Sequence, residues 1–256
     1  MEDEKKTFTG MKENHIEGRN AVLEAFRSGR TIDKLYVLDG CQDGPVRSIT
    51  REARKHDTIV NYVTKERLDQ ISETGKHQGV IAVSAAYDYA RAEDILALAE
   101  KKGEPPFILI LDGIEDPHNL GAIIRTANQA GAHGVIIPKR RAVGLTPTVA
   151  RTSAGAVNYV PVAKVTNISN TMKELKDRGM WFVCADMDGT LMYDMDLTGS
   201  IGLVIGNEGD GVSPLVKKNC DMVASIPMKG DIDSLNASVA AGVLSYEIVR
   251  QRMKKG

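Results

Sequence analysis

Cysteine is scarce in this chain. Cys41, Cys184 and Cys220 stand far apart, form no C-x-x-C pair and leave an odd number, so neither a disulfide framework nor a cysteine-ligated zinc site is expected. They read as buried thiols. Long apolar runs are also missing. Phe107-Ile108-Leu109-Ile110-Leu111 falls far short of the roughly 20 residues that a membrane span needs, and the amino terminus MEDEKK is charged with no apolar stretch behind it. A soluble, cytoplasmic protein without membrane association is expected. Nor is there a charge excess of either sign, because 33 lysines and arginines face 34 acidic residues. Any polyanionic partner would therefore be held by local patches rather than by bulk charge.

What is present is ordinary globular material. Hydrophobic residues make up 42% of the chain and charged residues 26%, which excludes disordered, collagen-like and coiled-coil classes. A length of 256 residues suits one large domain, or a small domain joined to a medium one. Residues 1–13 are polar without periodicity and are expected to form a flexible tail. From Glu17, EGRNAVLEAFRSG sets Val22, Leu23 and Phe26 on one helical face before Gly29, and KLYVLDG then reads as a buried strand. A helix over 46–56 and a strand over 58–63 follow, then a short helix over 65–72 and a strand at Val80-Ile81-Ala82-Val83. Three such αβ steps predict a small α/β domain over 14–90.

Residues 91–106 read as a linker helix, EDILALAEKK, closed by Gly103-Glu104-Pro105-Pro106. Over 107–256, strands are expected at Phe107–Leu111, Gly134–Ile137, Tyr159–Val162, Trp181–Ala185, Ile201–Ile205 and Met222–Ile226, with helices between most of them. Continuous apolar strands alternating with helices predict a mostly parallel sheet covered on both faces.

Three constellations in this second part could carry chemistry. In the first, the strand ending at Leu111-Asp112 runs through a polar turn to Asn119, placed where a helix N-cap would accept backbone amides, with Arg125 six residues on. The ends of parallel strands are where α/β sheets build sites, although a lone Asn can simply cap and a lone Arg simply pair with a carboxylate. The second is the strand Leu203-Val204-Ile205 entering Gly206-Asn207-Glu208-Gly209-Asp210-Gly211. Its glycines allow close backbone approach to a ligand, but it matches neither G-x-G-x-x-G nor the P-loop. The third couples Ile226-Pro227-Met228 to a helix starting near Ser234, through Leu235-Asn236-Ala237-Ser238, rich in small residues suited to tight packing.

A fourth segment points elsewhere. Trp181 to Thr190 reads as a strand followed by D-x-D-G-T, Asp186 to Thr190, which resembles the nucleophile loop of haloacid-dehalogenase-type phosphatases. Only 66 residues follow Thr190, and no companion lysine or acidic pair is apparent in them. A turn rich in Asp and Gly is the plainer reading.

In order, the first three constellations resemble the three motifs of the SpoU/TrmH family of RNA ribose 2′-O-methyltransferases, part of the SPOUT superfamily. The residues that carry this are Asp116-Pro117-His118-Asn119-Leu120-Gly121 with Arg125, then Gly206-Asn207-Glu208-Gly209, then Ile226-Pro227-Met228 with Ser234-Leu235-Asn236-Ala237-Ser238. The amino-terminal part, from Ile16-Glu17-Gly18-Arg19-Asn20-Ala21-Val22 to His77-Gln78-Gly79, is similar to the family's ribosomal-protein-like substrate-binding domain.

The resemblance implies an α/β domain with a deep trefoil knot, S-adenosylmethionine held around Gly206, Asn207, Ile226, Met228 and Leu235, no required metal, and a homodimer. It implies catalytic roles for Arg125, Asn119, Glu208, Ser234 and Asn236, and an RNA substrate, by subgroup a guanosine of large-subunit (23S) ribosomal RNA. A tRNA target and a non-catalytic RNA-binding relative remain open. The basic clusters Arg47, Arg51, Arg54 and Lys55, and Lys139-Arg140-Arg141, would then serve as local patches for RNA, or be ordinary solvated faces.

Overall fold

The computed structural model of the chain describes residues 14–231 and 234–255, and the expected tail, 1–13, lies outside them. It divides into two units, one holding the chain up to Asp88 with Leu145–Pro147, the other holding Tyr89–Gly144 and the chain from Thr148 onwards.

The first unit runs β1 (His15–Glu17), α1 (Arg19–Arg27), β2 (Ile32–Leu38), α2 (Gly44–Lys55), β3 (Ile59–Val63), α3 (Lys65–Ile71) and β4 (Val80–Ser84). Its sheet has the order β1-β4-β2-β3, with β2 and β3 parallel and the other pairs antiparallel. β1, three residues long, carried too little alternation to be read from sequence. Helices α1 and α2 bury Val22, Phe26, Val46, Ile49 and Ala53 against Leu35, Val37, Val80 and Ala82. Asp43 starts α2 by accepting from the Val46 amide at 3.1 Å.

One carboxylate ties the ends of this unit together. Glu17 accepts from the Ser72 hydroxyl at 2.6 Å, from the Glu73 amide at 2.5 Å and from the Thr74 hydroxyl, so it fixes the loop that leads into β4. Burial disfavours its charge, but the hydrogen bonds from Ser72, Thr74 and the two backbone amides more than offset this and bring its pKa down to about 2.

The second unit runs α4 (Ala92–Lys102), β5 (Phe107–Asp112), α5 (Pro117–Gln129), β6 (Gly134–Pro138), α6 (Pro147–Thr152), β7 (Val162–Val165), α7 (Ile168–Lys176), β8 (Trp181–Leu191), β9 (Ile201–Gly206), α8 (Pro214–Lys218), β10 (Met222–Ser225) and α9 (Ala237–Lys255). All neighbours in its sheet, ordered β10-β8-β9-β5-β6-β7, are parallel. The chain builds outward from β5 to β7, crosses to the far side for β8, and returns to lay β9 against β5. That reversal creates a switch point between β5 and β9, where open α/β sheets bind ligands beyond the strand ends.

Fully buried strands need cover on both faces. On one face Ile95 of α4 and Met172 and Leu175 of α7 pack with Ile108, Ile110, Ile136, Phe182 and Val204. Helices α5 and α9 pack on each other, and α9 also packs on β9. Three expectations need correction. The strand expected at Tyr159–Val162 begins only at Val162, because Tyr159, 76% exposed, closes a 3-10 turn over Ala156–Asn158. β8 runs on to Leu191, since its pairing with β10 jumps from Val223↔Cys184 to Ala224↔Thr190 and leaves the residues between looped out. Of the three cysteines, Cys184 alone is buried; Cys41 and Cys220 are partly exposed, and all are free thiols. Among the described residues no helix is long and apolar enough to cross a membrane.

The depressed pKa of Glu17 makes a pH prediction. Its contribution to stability should be complete above pH about 4.5 and fade as the pH falls towards about 2, because the unfolded carboxylate binds its proton first. Thermal unfolding of wild type and Glu17→Gln followed between pH 7 and 3 should show the two curves converging in acid. Parallel curves would mean that these hydrogen bonds do not form in solution.

Candidate active site

The site is built at the carboxyl ends of β5 and β9, which are in register up to Asp112↔Gly206. Each strand leaves the sheet through a polar loop, and small residues let the two loops meet. Gly113 takes φ +85°, and a Cβ there would stand 3.1 Å from Nδ2 of Asn207. At Gly206 a Cβ would fall 2.0 Å from the carbonyl carbon of Gly211, so any larger residue would push the second loop open. Asp112 completes the join, accepting from the Ser213 amide at 2.8 Å.

Helix α5 begins differently from the sequence expectation. Asp116, not Asn119, is its N-cap, accepting from the His118 amide at 3.1 Å, with Pro117 in the first turn. The Asn119 side chain is therefore free for long-range bonding. It is 9% exposed, and its Nδ2 donates to Oε1 of Glu208 at 3.0 Å, 89 residues away in sequence. Its Oδ1 accepts from Nδ2 of Asn236 at 3.0 Å, and that same nitrogen also donates to Glu208 Oε1. One residue from each of the three motifs is thus joined in a closed hydrogen-bonded trio.

Asn236 has a second task. Its Oδ1 accepts from the amides of Ser238 at 2.9 Å and Val239 at 3.3 Å and from the Ser238 hydroxyl at 2.6 Å, capping α9. This helix starts at Ala237, three residues after the expected Ser234. Glu208 is exposed and its Oε2 has no hydrogen-bond partner among the described residues. A carboxylate with one oxygen held by amides and the other open to solvent is fit to accept from a substrate hydroxyl.

The remaining expected residues divide into two groups. Asn207 makes the turn itself, its Oδ1 accepting from the Gly209 and Asp210 amides at 2.9 and 2.6 Å while its backbone pairs with Gly211. Ile226, Met228 and Leu235 are partly exposed apolar side chains on the segments that leave β10 and enter α9. Among the described residues the peptide groups of Met228 and Leu235 have no backbone hydrogen-bond partner. Partly exposed apolar side chains on peptide groups unpaired among those residues fit an adenosine-bearing cofactor.

The side chains of Ser234 and Arg125 are exposed without a partner among the described residues. Arg125 lies roughly 120° round α5 from Asn119, so the trio does not include it. Past β6, Arg140 and Arg141 are exposed in a loop that Val143 ties to the β5–α5 loop by donating to the Ile114 carbonyl at 3.0 Å. Composition gave no sign of Asp116 as the cap or of the Asp112–Ser213 bond. The D-x-D-G-T run has a different setting. Asp186 is ion-paired at 2.6 Å with Lys217, a lysine that sequence reading did not connect to it, and its pKa is lowered chiefly by that bond. Among the described residues no group of three or more His, Cys, Asp or Glu converges there or elsewhere.

A parallel α/β sheet with a polar site at its switch point, built from an Asn, a Glu and an Asn on three loops, defines a ligand-binding α/β class without the glycine pattern of the nucleotide-phosphate binders. Comparison with known proteins makes this specific. Residues 106–246 match the model of the SpoU rRNA Methylase family, and residues 15–90 match that of the RNA 2′-O ribose methyltransferase substrate-binding domain. The chain is 48% identical over 244 residues to YacO of Bacillus subtilis, named a TrmH family tRNA/rRNA methyltransferase, with 95% of this chain and 98% of that one covered. The SpoU methyltransferase AviRb from Streptomyces viridochromogenes, solved with its cofactor AdoMet, aligns with a TM-score of 0.60 at 27% identity over 94% of this chain and 90% of that one. An AdoMet-bound rRNA methyltransferase from Sinorhizobium meliloti aligns with a TM-score of 0.57 at 25% identity over 92% and 86%. A TrmH/SpoU tRNA-modifying enzyme of A. aeolicus aligns with a TM-score of 0.54 at 31% identity, over 64% of this chain and 85% of that one. The chain belongs to the SpoU methylase family.

Asn236→Ala removes both a helix cap and the partner of a buried amide. Urea unfolding should show a loss of about 1–3 kcal/mol, and Asn236→Ser, a helix cap without the amide donor, should recover the capping part alone. Unchanged stability in the Ala variant would contradict the trio.

Proposed function

We propose that this protein transfers the methyl group of S-adenosylmethionine to the 2′ oxygen of a guanosine ribose in large-subunit (23S) ribosomal RNA. The observation that supports the reaction is the Asn119–Glu208–Asn236 trio, with an open Glu208 oxygen and with the partly exposed apolar Leu235 next to Asn236 in the chain. The ribosomal target draws support from the amino-terminal unit. The rRNA-named structure aligns over that unit as well, at 92% of this chain, whereas the tRNA-named one aligns over 64%.

S-adenosylmethionine supplies an electrophilic methyl on a sulfonium. The chain would hold it through the backbone around Gly206, Ile226, Met228 and Leu235, within the trefoil crossing that the family fold implies. In-line placement of the ribose oxygen is then a large part of the catalysis. Glu208 Oε2 accepts the hydrogen bond of the 2′ hydroxyl and would pass its proton to solvent as the oxygen is methylated, and Asn119 and Asn236 fix that carboxylate by holding its other oxygen. Arg125, without a side-chain partner among the described residues, clamps the neighbouring phosphate and the nucleophile with its planar fork and so lowers the hydroxyl's pKa; a guanidinium does not itself take up the proton. Ser234, at the entry to α9, lines the methyl-donor end.

A homodimer is part of this reading. Val239, Tyr246 and Met253 recur every seven residues along α9 and are 49%, 50% and 78% exposed, forming an apolar stripe suited to a second copy.

Two measurements test the proposal. Labelled methyl from S-adenosylmethionine should enter the ribose of one guanosine in large-subunit RNA taken from a strain lacking the protein, while label entering tRNA alone would keep the chemistry and overturn the target. Arg125→Lys and Glu208→Gln should each lower the single-turnover rate on the order of 100-fold or more with cofactor affinity unchanged. Retention of most of the rate by either would remove that residue from the mechanism.

A further inference from the structure

The first unit carries a charged surface that its own fold does not use. Helix α2 turns Val46, Ile49 and Ala53 inward, and these are buried in the unit's core. Arg47, Arg51 and Arg54 lie away from that face and are all exposed. At 3.6 residues per turn the three fall within a sector of roughly 60° and span about 10 Å of helix. None of their guanidiniums has a hydrogen-bond or ion-pair partner among the described residues, whereas that of Arg19 on the neighbouring helix is paired with Asp43 at 2.6 Å.

The acidic residue that interrupts this cluster in sequence does not interrupt it in space. Glu52 lies roughly 130° round the helix from the three guanidiniums and is taken by Lys55 at 2.7 Å, with Arg51 adding only a weaker attraction at longer range. Lys55 is therefore neutralised within the helix. Three like charges one turn apart repel each other by a few tenths of a kcal/mol per pair on an isolated helix, so the arrangement gives the unit no stability of its own.

We propose that Arg47, Arg51 and Arg54 form a phosphate-backbone track that docks the RNA substrate on α2, independently of the catalytic site. The inference rests on the RNA-methyltransferase reading for the identity of its polyanion. Guanidiniums present a planar fork to phosphate oxygens, and a one-turn spacing along a straight helix lets them follow a strand without reading its bases. The net charge of the chain is -1, so binding has to come from a patch of this kind.

The test is the salt dependence of RNA affinity for the full chain, measured with the R47Q/R51Q/R54Q variant and with K55Q as control. The triple variant should bind large-subunit RNA on the order of tenfold more weakly, and its slope of log affinity against log salt should be shallower by about 2–3, roughly one unit for each lost phosphate contact. KM for RNA should rise while kcat at saturating RNA and the thermal midpoint stay as in wild type, and K55Q should match wild type throughout. An unchanged slope and affinity in the triple variant, with methyl transfer intact, would overturn the proposal. So would a loss confined to binding of anionic lipid vesicles, which would assign the face to a membrane surface. A wild type that transfers no methyl but loses its salt slope in the triple variant would sustain the track and overturn the catalytic reading instead.

Discussion

Everything at the site depends on three side chains, Asn119, Glu208 and Asn236, sharing one set of hydrogen bonds. They come from positions 89 and 28 residues apart, so the trio can close only if β5 and β9 are adjacent and parallel and α9 begins directly over their ends. The sheet order supplies the first condition. The second is met from the far end of α9, where Arg252 donates to the carbonyls of Pro105, Pro106 and Gly199 and Gln251 donates to Met195 and accepts from Leu197. A helix fastened at both ends sets the position of its first residue.

The same geometry decides what the site can do. Asn119 is nearly buried, and both polar ends of its amide are satisfied, so it is fixed rather than reactive. Glu208 is anchored through one oxygen only, which leaves the other directed by the trio yet open. A site of this kind works by positioning. Tight turns at Gly113 and Gly206 bring the first two loops together without side-chain bulk, and the third loop contributes Met228 and Leu235, whose peptide groups are unpaired among the described residues.

The fold was largely legible in the sequence because its elements announce themselves by period. Apolar strands such as Phe107–Asp112 and amphipathic helices such as α2 need no tertiary information to be seen. What escaped were features decided by long-range pairing: β1, which exists as a partner of β4, and the jump in the β8–β10 register that loops out most of the D-x-D-G-T run between two paired stretches of β8. At the site, the motif residues were identified as a set, but their geometry was not. Asn119 was expected to cap its helix, and the partnership that replaces this role lies 89 residues downstream, beyond the reach of any local pattern. Arg125 stands apart from the trio because six residues along a helix do not return to the same face.

The most direct test of this account is amide hydrogen exchange of the full chain with and without S-adenosylhomocysteine. New protection is expected in the Gly206–Gly211 turn and in the third loop at Met228 and Leu235, with little change in the looped-out part of β8 near Asp186. Protection at Asp186–Thr190, with none in the other two segments, would contradict it.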